Sequence, residues 1–212
     1  MQGQHAVTTQ TGAGSHGITV RTMRADDCDF AGRVLVEGFR DKFVHTVGTR
    51  NLPTVQVAWE DDHRLSGFAY HRIFVAEFQG ERAGVMELKF HDDREGGRSS
   101  RWEALSCCSR RRVRYMFQYM NKKVDRGCCY LDHISVDERF RDRGVGTALM
   151  VVADQVARER QCHTIFLWVA SDNRARNLYS RQGYQKTESY SLCGLIACLT
   201  GRRAFDEMVK TL

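Results

Sequence analysis

The sequence predicts a mixed α/β domain, on three observations. Strand-like and helix-like segments interleave in the order β-α-α-β-β-α-β-α-β-α-β-β, with neither kind confined to one half. No internal repeat and no second set of core-forming segments is visible. The length, 212 residues, suits one domain with a tail. A chain of that size buries roughly 70% of its unfolded surface and needs no staples.

Residues 1–16, rich in Gln, Thr and Gly, read as a flexible N-terminal tail, and 17–212 as the folded domain. Gly17–Arg24 alternates Ile18, Val20 and Thr22 onto one face, which is a strand. In residues 25–43, Asp26 or Asp27 can cap a helix whose Phe30, Val34, Leu35, Phe39 and Phe43 recur at helical spacing. The lone proline, Pro53, breaks a loop, and residues 55–72 make a second helix. Residues 73–91 hold two β-rich runs around Gly80-Glu81-Arg82-Ala83-Gly84, an antiparallel hairpin. A surface loop, 92–100, leads to a helix over 101–123. Trp102, Leu105, Val113, Met116, Phe117 and Met120 form its apolar side, and Arg110, Arg111, Arg112 and Arg114 read as a solvated face.

Cys128–Val136 is a strong strand. Gly146–Gln161 is a long helix with Ala148, Leu149, Val152, Val156 and Ala157 as its buried stripe. His163–Ala170 is nearly all apolar, as expected for a strand covered on both faces. Residues 173–184 form a short helix ending near Gly183, and 185–192 and 206–212 are the final strands. Residues 192–201 between them are unusually apolar for a connection. They read as a short covering helix or a contact in a homodimer.

The balance of 42% hydrophobic and 27% charged residues fits a soluble folded protein. The net charge of +6 favours an anionic ligand, nucleic acid or a membrane surface, and a solvated surface accounts for it equally well. No recognisable nucleic-acid module is present, and no apolar run approaches the ~18–20 residues of a membrane span, so neither partner is expected. The eight cysteines include the adjacent pairs Cys107–Cys108 and Cys128–Cys129 but no C-x-x-C, so no zinc site and no other metal is expected. With no apolar leader at the N-terminus, mostly buried, reduced thiols in the cytoplasm or nucleus are expected.

The least ordinary stretch is Val136–Leu149, "VDERFRDRGVGTAL", which joins the strong strand to the long helix. A helix N-terminus presents unpaired N–H groups and partial positive charge. Gly144 and Gly146 let the backbone approach an anion without an intervening Cβ, and successive amides make a nest for phosphate oxygens. The loop therefore reads as a phosphate or pyrophosphate site. It is not a Walker loop, and Leu149 stands where the dinucleotide fingerprint needs its third glycine.

Arg141-Asp142-Arg143-Gly144-Val145-Gly146 fits [QR]-x-x-G-x-[GA]. It resembles the acetyl-CoA loop of the GNAT superfamily of N-acetyltransferases. Residues 130–150 are similar to that superfamily's strand-loop-helix core. Residues 167–184 are similar to its later strand and helix, with Asn173, Ala175, Tyr179 and Gly183-Tyr184 at the recurring positions. Asn173 and Ala175 are one residue closer than the usual N-x-x-A spacing. The resemblance covers roughly residues 17–190. It implies a single domain with a mixed, mostly antiparallel sheet of six to seven strands flanked by helices.

It also implies acetyl-CoA as cosubstrate, with no metal. The pyrophosphate would lie on the amides of Arg141, Asp142, Arg143, Gly144, Val145, Gly146 and Thr147, and the pantetheine arm along Ile134, Ser135 and Val136. Asn173, Arg176 and Tyr179 would complete the cofactor site. The acceptor amine attacks the thioester directly. An amine of pKa near 10.4 is neutral in only about one molecule in 2,500 at pH 7, a cost of roughly 4.6 kcal/mol. A base is therefore useful. Strand alternation places Tyr130, Asp132, Ile134 and Val136 on one face, and His133 shares the other with Ser135 unless the strand bulges. The resemblance implies a base four or six positions before Val136, at Asp132 or Tyr130, and Asp132 is favoured. Tyr179 is the expected acid at the CoA sulfur. Phe39, Phe43, Trp59, Phe68, Tyr70 and Tyr190 are aromatic candidates for an acceptor pocket, each equally explained by core packing. A small-molecule amine is the expected acceptor; a protein lysine or N-terminus, and a CoA-binding sensory module without turnover, are the alternatives.

Overall fold

The computed structural model describes residues 9–10, 17–94, 98–192 and 194–212. The strands are β1 (Thr9–Gln10), β2 (Ile18–Thr22), β3 (Ile73–Phe78), β4 (Glu81–Phe90), β5 (Cys128–Val136), β6 (Thr164–Ala170), β7 (Gln185–Ser191) and β8 (Ala204–Thr211). The helices are α1 (Cys28–Gly38), α2 (Arg40–Val47), α3 (Leu52–Leu65), α4 (Cys107–Met120), α5 (Val145–Glu159), α6 (Ala175–Arg181) and α7 (Gly194–Thr200). All strands join one sheet in the order β1-β2-β3-β4-β5-β6-β8-β7. Only β5 and β6 pair in parallel, with α5 as their crossover, and the two-residue β1 merely extends an edge. The seven full strands match the predicted mixed, mostly antiparallel sheet. Apart from β1, the tail proposed for 1–16 lies outside the described residues.

One face of the sheet is covered by α5, whose Val145, Ala148, Leu149, Val152 and Val156 pack with Ile18, Met86, Leu88, Leu131 and Ile165. On the other face Val34 and Leu35 of α1 pack on Ile73, Val75 and Val85. A further apolar cluster there joins α2, α3 and α4 through Phe43, Val55, Trp102 and Met116. Two glycines allow the close approaches. A Cβ on Gly84 would lie 3.1 Å from Val145 Cγ1 and from the Ser135 carbonyl oxygen, so α5 can press onto β4 only without that methyl. Gly38 comes closer still to β5, against the Ser135 side chain.

Several boundaries differ from the expectation. The helix read over 25–43 is two: Phe39 leaves helical geometry at φ −110° and ψ 18°, so α2 turns away from α1. Pro53 sits in the first turn of α3, where its missing N–H has no helical partner to lose, rather than in a loop. The second helix ends at Leu65, and 67–72 is a separate 3-10 segment. The hairpin turns at Gln79-Gly80, both at positive φ, with Gly84 inside β4. Residues 100–104 form a 3-10 turn before Ser106 caps α4 with its side chain. Strand β6 is fully buried on one face only, with Thr164, Phe166 and Trp168 half-exposed. The predicted apolar covering helix is α7, whose Ile196 and Leu199 are buried; Thr46 Oγ1 of α2 donates to the Leu199 carbonyl at 2.8 Å. Of the described cysteines, all free, only Cys28, Cys129 and Cys162 are buried, while Cys107, Cys108 and Cys198 are exposed.

Candidate functional site

The site begins with a fault in the ladder between β4 and β5. Glu87 pairs with His133 and Leu88 with Leu131, so Asp132 is an extra residue, a β-bulge. The bulge corrects the expected alternation. Leu131 before it and Ile134 and Val136 after it all pack toward α5. His133 and Ser135 face the opposite side, where the Trp59 ring stands 6.5 Å from the His133 ring and Ser135 Oγ donates to the Val34 carbonyl at 2.8 Å. Tyr130 shares that opposite side with His133, and its ring stacks on Phe166 at 5.0 Å.

On its other edge β5 keeps only three partners in β6: Cys128 with Thr164, Cys129 with Ile165 and Tyr130 with Phe166. Both strands continue, to Val136 and Ala170, without pairing. The sheet therefore splits beside the bulge, and β5 presents an unpaired edge of main-chain groups from Leu131 onward. An extended chain carrying amide groups can add to such an edge as a strand would.

A charge network lies on the α1–α3 side of the bulge. Lys89 Nζ is 3.0 Å from Asp132 Oδ1. His133 Nδ1 is 3.3 Å from Asp132 Oδ2 and 3.6 Å from Glu87 Oε2. Arg72 in turn holds Glu87 at 3.2 Å and Asp93 at 3.1 Å. Burial alone would raise the Asp132 pKa; the adjacent Lys89 ammonium and His133 outweigh it and hold the carboxyl far below the usual range. His133 is buried, and its Nε2 has no hydrogen-bond partner among the described residues. Ligand atoms of Glu87, Asp132 and His133 lie within 4.8 Å of one another, close enough for a cation. Both carboxylates already hold a basic side chain, which disfavours a further positive charge there.

Tyr179 approaches the split from α6. It is buried, and burial raises its hydroxyl pKa. Tyr130 is buried too; its pKa is raised first by burial and then by the charges of Asp132 and Tyr179.

Below the split, β5 runs through a 3-10 turn at Glu138–Phe140 into the glycine loop. Asp142 and Gly144 both have positive φ, 59° and 85°, which turns the chain into the start of α5. The first helical bond runs from the Ala148 N–H to the Gly144 carbonyl, so the amides of Val145, Gly146 and Thr147 precede the helix ladder. Residues Arg141 to Gly144 are exposed. A cavity of about 400 Å3 opens beside the loop; in its wall Arg33 and Arg139 pair with Asp137 and Arg40 with Glu37, while Arg141 has no ion pair among the described residues. The bare amides fit a pyrophosphate, as the unpaired edge fits a pantetheine arm.

The remaining predicted residues are engaged in structure. Asn173 Oδ1 accepts from the Ala175 N–H at 2.9 Å and so caps α6. Arg176 donates to the Ser171 carbonyl at 2.7 Å and pairs with Asp206 at 3.1 Å. Among the aromatics, Phe39, Phe43 and Trp59 form one contact cluster with Phe117. Tyr70 binds Cys28 under α1, Tyr190 stacks on Trp168 at 4.4 Å, and the Phe68 side chain lies outside the described residues.

Sequence reasoning missed Glu87, Lys89 and Lys42. Glu87 and Lys89 alternate with Met86, Leu88 and Phe90, which reads as a strand with one wet face; the helices that bury that face come from distant segments. Lys42, on α2, reaches over the rings of Phe39 and Phe205.

A split sheet, a bulged strand and a glycine loop feeding a helix place the chain with the acyltransferase class of α/β folds. Residues 35–184 match the model of the acetyltransferase (GNAT) family, and the chain belongs to that family. An uncharacterised N-acetyltransferase of Methanocaldococcus jannaschii is 39% identical over 59 residues, 27% of this chain; the match spans about a quarter (26%) of that relative's length. The fold is similar to that of a ribosomal-protein-alanine N-acetyltransferase from Brucella melitensis, with TM-score 0.60 and 16% identity, covering 91% of this chain and 99% of that one. It is also similar to the PaiA N-acetyltransferase of Thermoplasma acidophilum, solved in complex with coenzyme A, with TM-score 0.54 and 12% identity, covering 92% and 99%. Among the described residues no helix is long and apolar enough to cross a membrane.

Proposed function

We propose that this protein transfers the acetyl group of acetyl-CoA to the primary amine of a small molecule. One observation carries the cofactor reading: the unpaired β5 edge runs directly into the bare amides at the start of α5. The pyrophosphate would be held by the backbone from Arg141 to Thr147, and the pantetheine arm by the edge at Ile134–Val136. Bound acetyl-CoA supplies an activated acetyl thioester.

The residues around the bulge manage the proton. Asp132, held ionised by Lys89, is a weak base for an ammonium. His133 is the better placed acceptor: Asp132 and Glu87 orient its Nδ1, which leaves Nε2 to take a proton directly or through water. Tyr179 stays a neutral phenol because burial raises its pKa. A thiol near pKa 8.5 is the stronger acid of the two, by about 1.5 units or more, so Tyr179 stabilises a departing thiolate as a hydrogen-bond donor.

The small acceptor is supported by Arg202. It binds Asp41 of α2 at 2.8 Å and Asp172 in the β6–α6 turn at 2.9 Å, tying a strap across the acceptor side. On this reading the strap limits access for a folded protein surface more than for a small amine. The test is a thiol-release screen with acetyl-CoA over amines, amino acids and peptides, beside thermal shifts with acetyl-CoA alone. Turnover of a small amine, and loss of the thermal shift in Gly144→Glu, are expected. Turnover of peptides only would favour the protein acceptor; a shift without turnover would favour a sensory module.

A further inference from the structure

Around the split sheet nearly every cation holds a carboxylate. Lys89 holds Asp132, Arg72 holds Glu87 and Asp93, Arg202 holds Asp41 and Asp172, and Arg176 holds Asp206. Two lysines differ, Lys42 and Lys122, and neither has an ion pair among the described residues; Lys122 Nζ lies 3.3 Å from the centre of the Trp168 ring. Lys42 Nζ stands 4.6 Å from the centre of the Phe39 ring and 5.2 Å from that of Phe205. Phe205 stands opposite Ala170 at the far end of β6, and Asp132 is the bulged residue of β5. The Phe39 ring in turn packs on Trp59, 6.4 Å away, and Trp59 stands 6.5 Å from His133, so the Lys42 ammonium lies over the aromatic cluster that flanks the bulge.

We propose that Lys42 is a self-acetylation site of this protein: its side-chain amine lies where an acceptor amine must enter, and it takes the acetyl group of acetyl-CoA. In this step the Lys42 nitrogen bonds to the acetyl carbon and the carbon–sulfur bond breaks. Two protons leave the nitrogen: the ammonium loses one to solvent, directly or through His133, and the other passes to the departing sulfur, so that coenzyme A leaves as the thiol. No oxidant or further reactant is needed. The inference rests on the acetyl-CoA reading given above.

The chemistry favours Lys42 over the other lysines. Burial, aided by Arg202 and opposed by Asp132, lowers its pKa to about 8. At pH 7 roughly a tenth of such an amine is neutral, against about one in 2,500 for an ordinary lysine. The two rings hold the ammonium in place, and no carboxylate pairs with it among the described residues. Acetylation removes the charge and leaves an uncharged amide between the rings and Asp132. It would therefore change how the cleft receives a cationic acceptor.

The test uses the full chain with acetyl-CoA and no acceptor. Acetylation is quantified by mass spectrometry after cleavage at acidic residues, at Lys42 and at the exposed Lys123 and Lys186. Lys42 should label at least tenfold faster than either, with a rate that rises with pH and levels off above about 8. Gly144→Glu should abolish this labelling, while acetic anhydride still modifies Lys42 in the same variant. If acetyl-CoA raises the melting temperature yet Lys42 labels no faster than Lys123 and Lys186, the proposal is overturned. If acetyl-CoA gives no thermal shift, the cofactor reading itself fails and the proposal falls with it. Lys42→Arg guards against misassigned peptides: persistence of the signal in that variant also overturns the site.

Discussion

Gly38 of α1 and Ser135 of β5 approach so closely that a Cβ on Gly38 would lie 2.1 Å from the Ser135 hydroxyl oxygen. That hydroxyl donates to the Val34 carbonyl, one turn earlier in α1, and cannot move aside without breaking the bond. The contact sets how α1 lies against the strand that carries the bulge. Gly38→Ala should destabilise the protein by about 1–3 kcal/mol through overpacking, read as a lower urea midpoint at unchanged slope. Ser135→Ala added to it should restore part of the loss. A Gly38→Ala protein as stable as the parent would disprove the contact.

Asp137 makes the acid limit of stability predictable. Burial would raise its pKa, but hydrogen bonds from Arg33, at 2.8 Å, and Arg139 bring it down to about 2. A folded-state pKa below the unfolded value gives stability that is present above about pH 4 and is lost as pH falls through 2. The contribution is on the order of 2 kcal/mol at neutral pH. Arg33→Met should take away much of it and move the acid-unfolding midpoint upward. The check is unfolding free energy against pH from 2 to 7, in which the two proteins should converge at the acid end. A constant offset across the whole range would assign Arg33 to packing instead.

Most of the strand and helix pattern was legible because each segment carries its own period. The buried stripe of α5 and the existence of the β3–β4 hairpin are local signals, and both were found, although the hairpin turns earlier than its glycines suggest. The glycine loop was legible for the same reason: Gly144 and Gly146 stand beside the helix they serve. The bulge at Asp132 was not, since nothing in "YLDHISV" marks which residue loses its partner; that depends on β4 meeting β5 with an unequal count. The assignment of base shifted with it. Alternation alone put Asp132 with Ile134, whereas the bulge puts His133 across from Glu87 and leaves Asp132 tied to Lys89. The break at Phe39 was hidden as well. Phe39 and Phe43 keep helical spacing through it, and the residue before the break, Gly38, meets Ser135 across 97 residues of chain.

His133→Gln keeps the volume near Trp59 and removes the proton acceptor. With the acceptor found in the screen, kcat should fall by ~10²–10⁴-fold. The thermal shift given by acetyl-CoA should stay as it is. Asp132→Asn should lower kcat by less, because Glu87 still stands 3.6 Å from His133 Nδ1. Equal losses in the two variants would return the principal role to Asp132.

Tyr179→Phe takes away one hydroxyl from a buried ring that packs beside Tyr184 at 6.1 Å. If that hydroxyl supports the departing thiolate, kcat should drop by about 10²-fold or more, as for loss of a single donor aimed at developing charge. KM for acetyl-CoA and the melting temperature should change little. A drop in stability with kcat retained would make Tyr179 a packing residue only.

Arg202 offers the sharpest test of acceptor size. Its guanidinium joins Asp41 to Asp172, two exposed carboxylates on elements that otherwise stand apart. Because both partners are exposed, Arg202→Met should change stability by about 1 kcal/mol or less. Its effect on the reaction should be larger. With the strap cut, a small amine is less well enclosed, and KM for it should rise several-fold while kcat changes less. Peptides, held off by the strap in the parent, should gain activity relative to the small amine. Kinetics of parent and variant on one small amine and one lysine peptide read both effects. A variant that loses activity on both acceptors in equal proportion would mean that Arg202 acts on the fold of α2 rather than on access to the bulge.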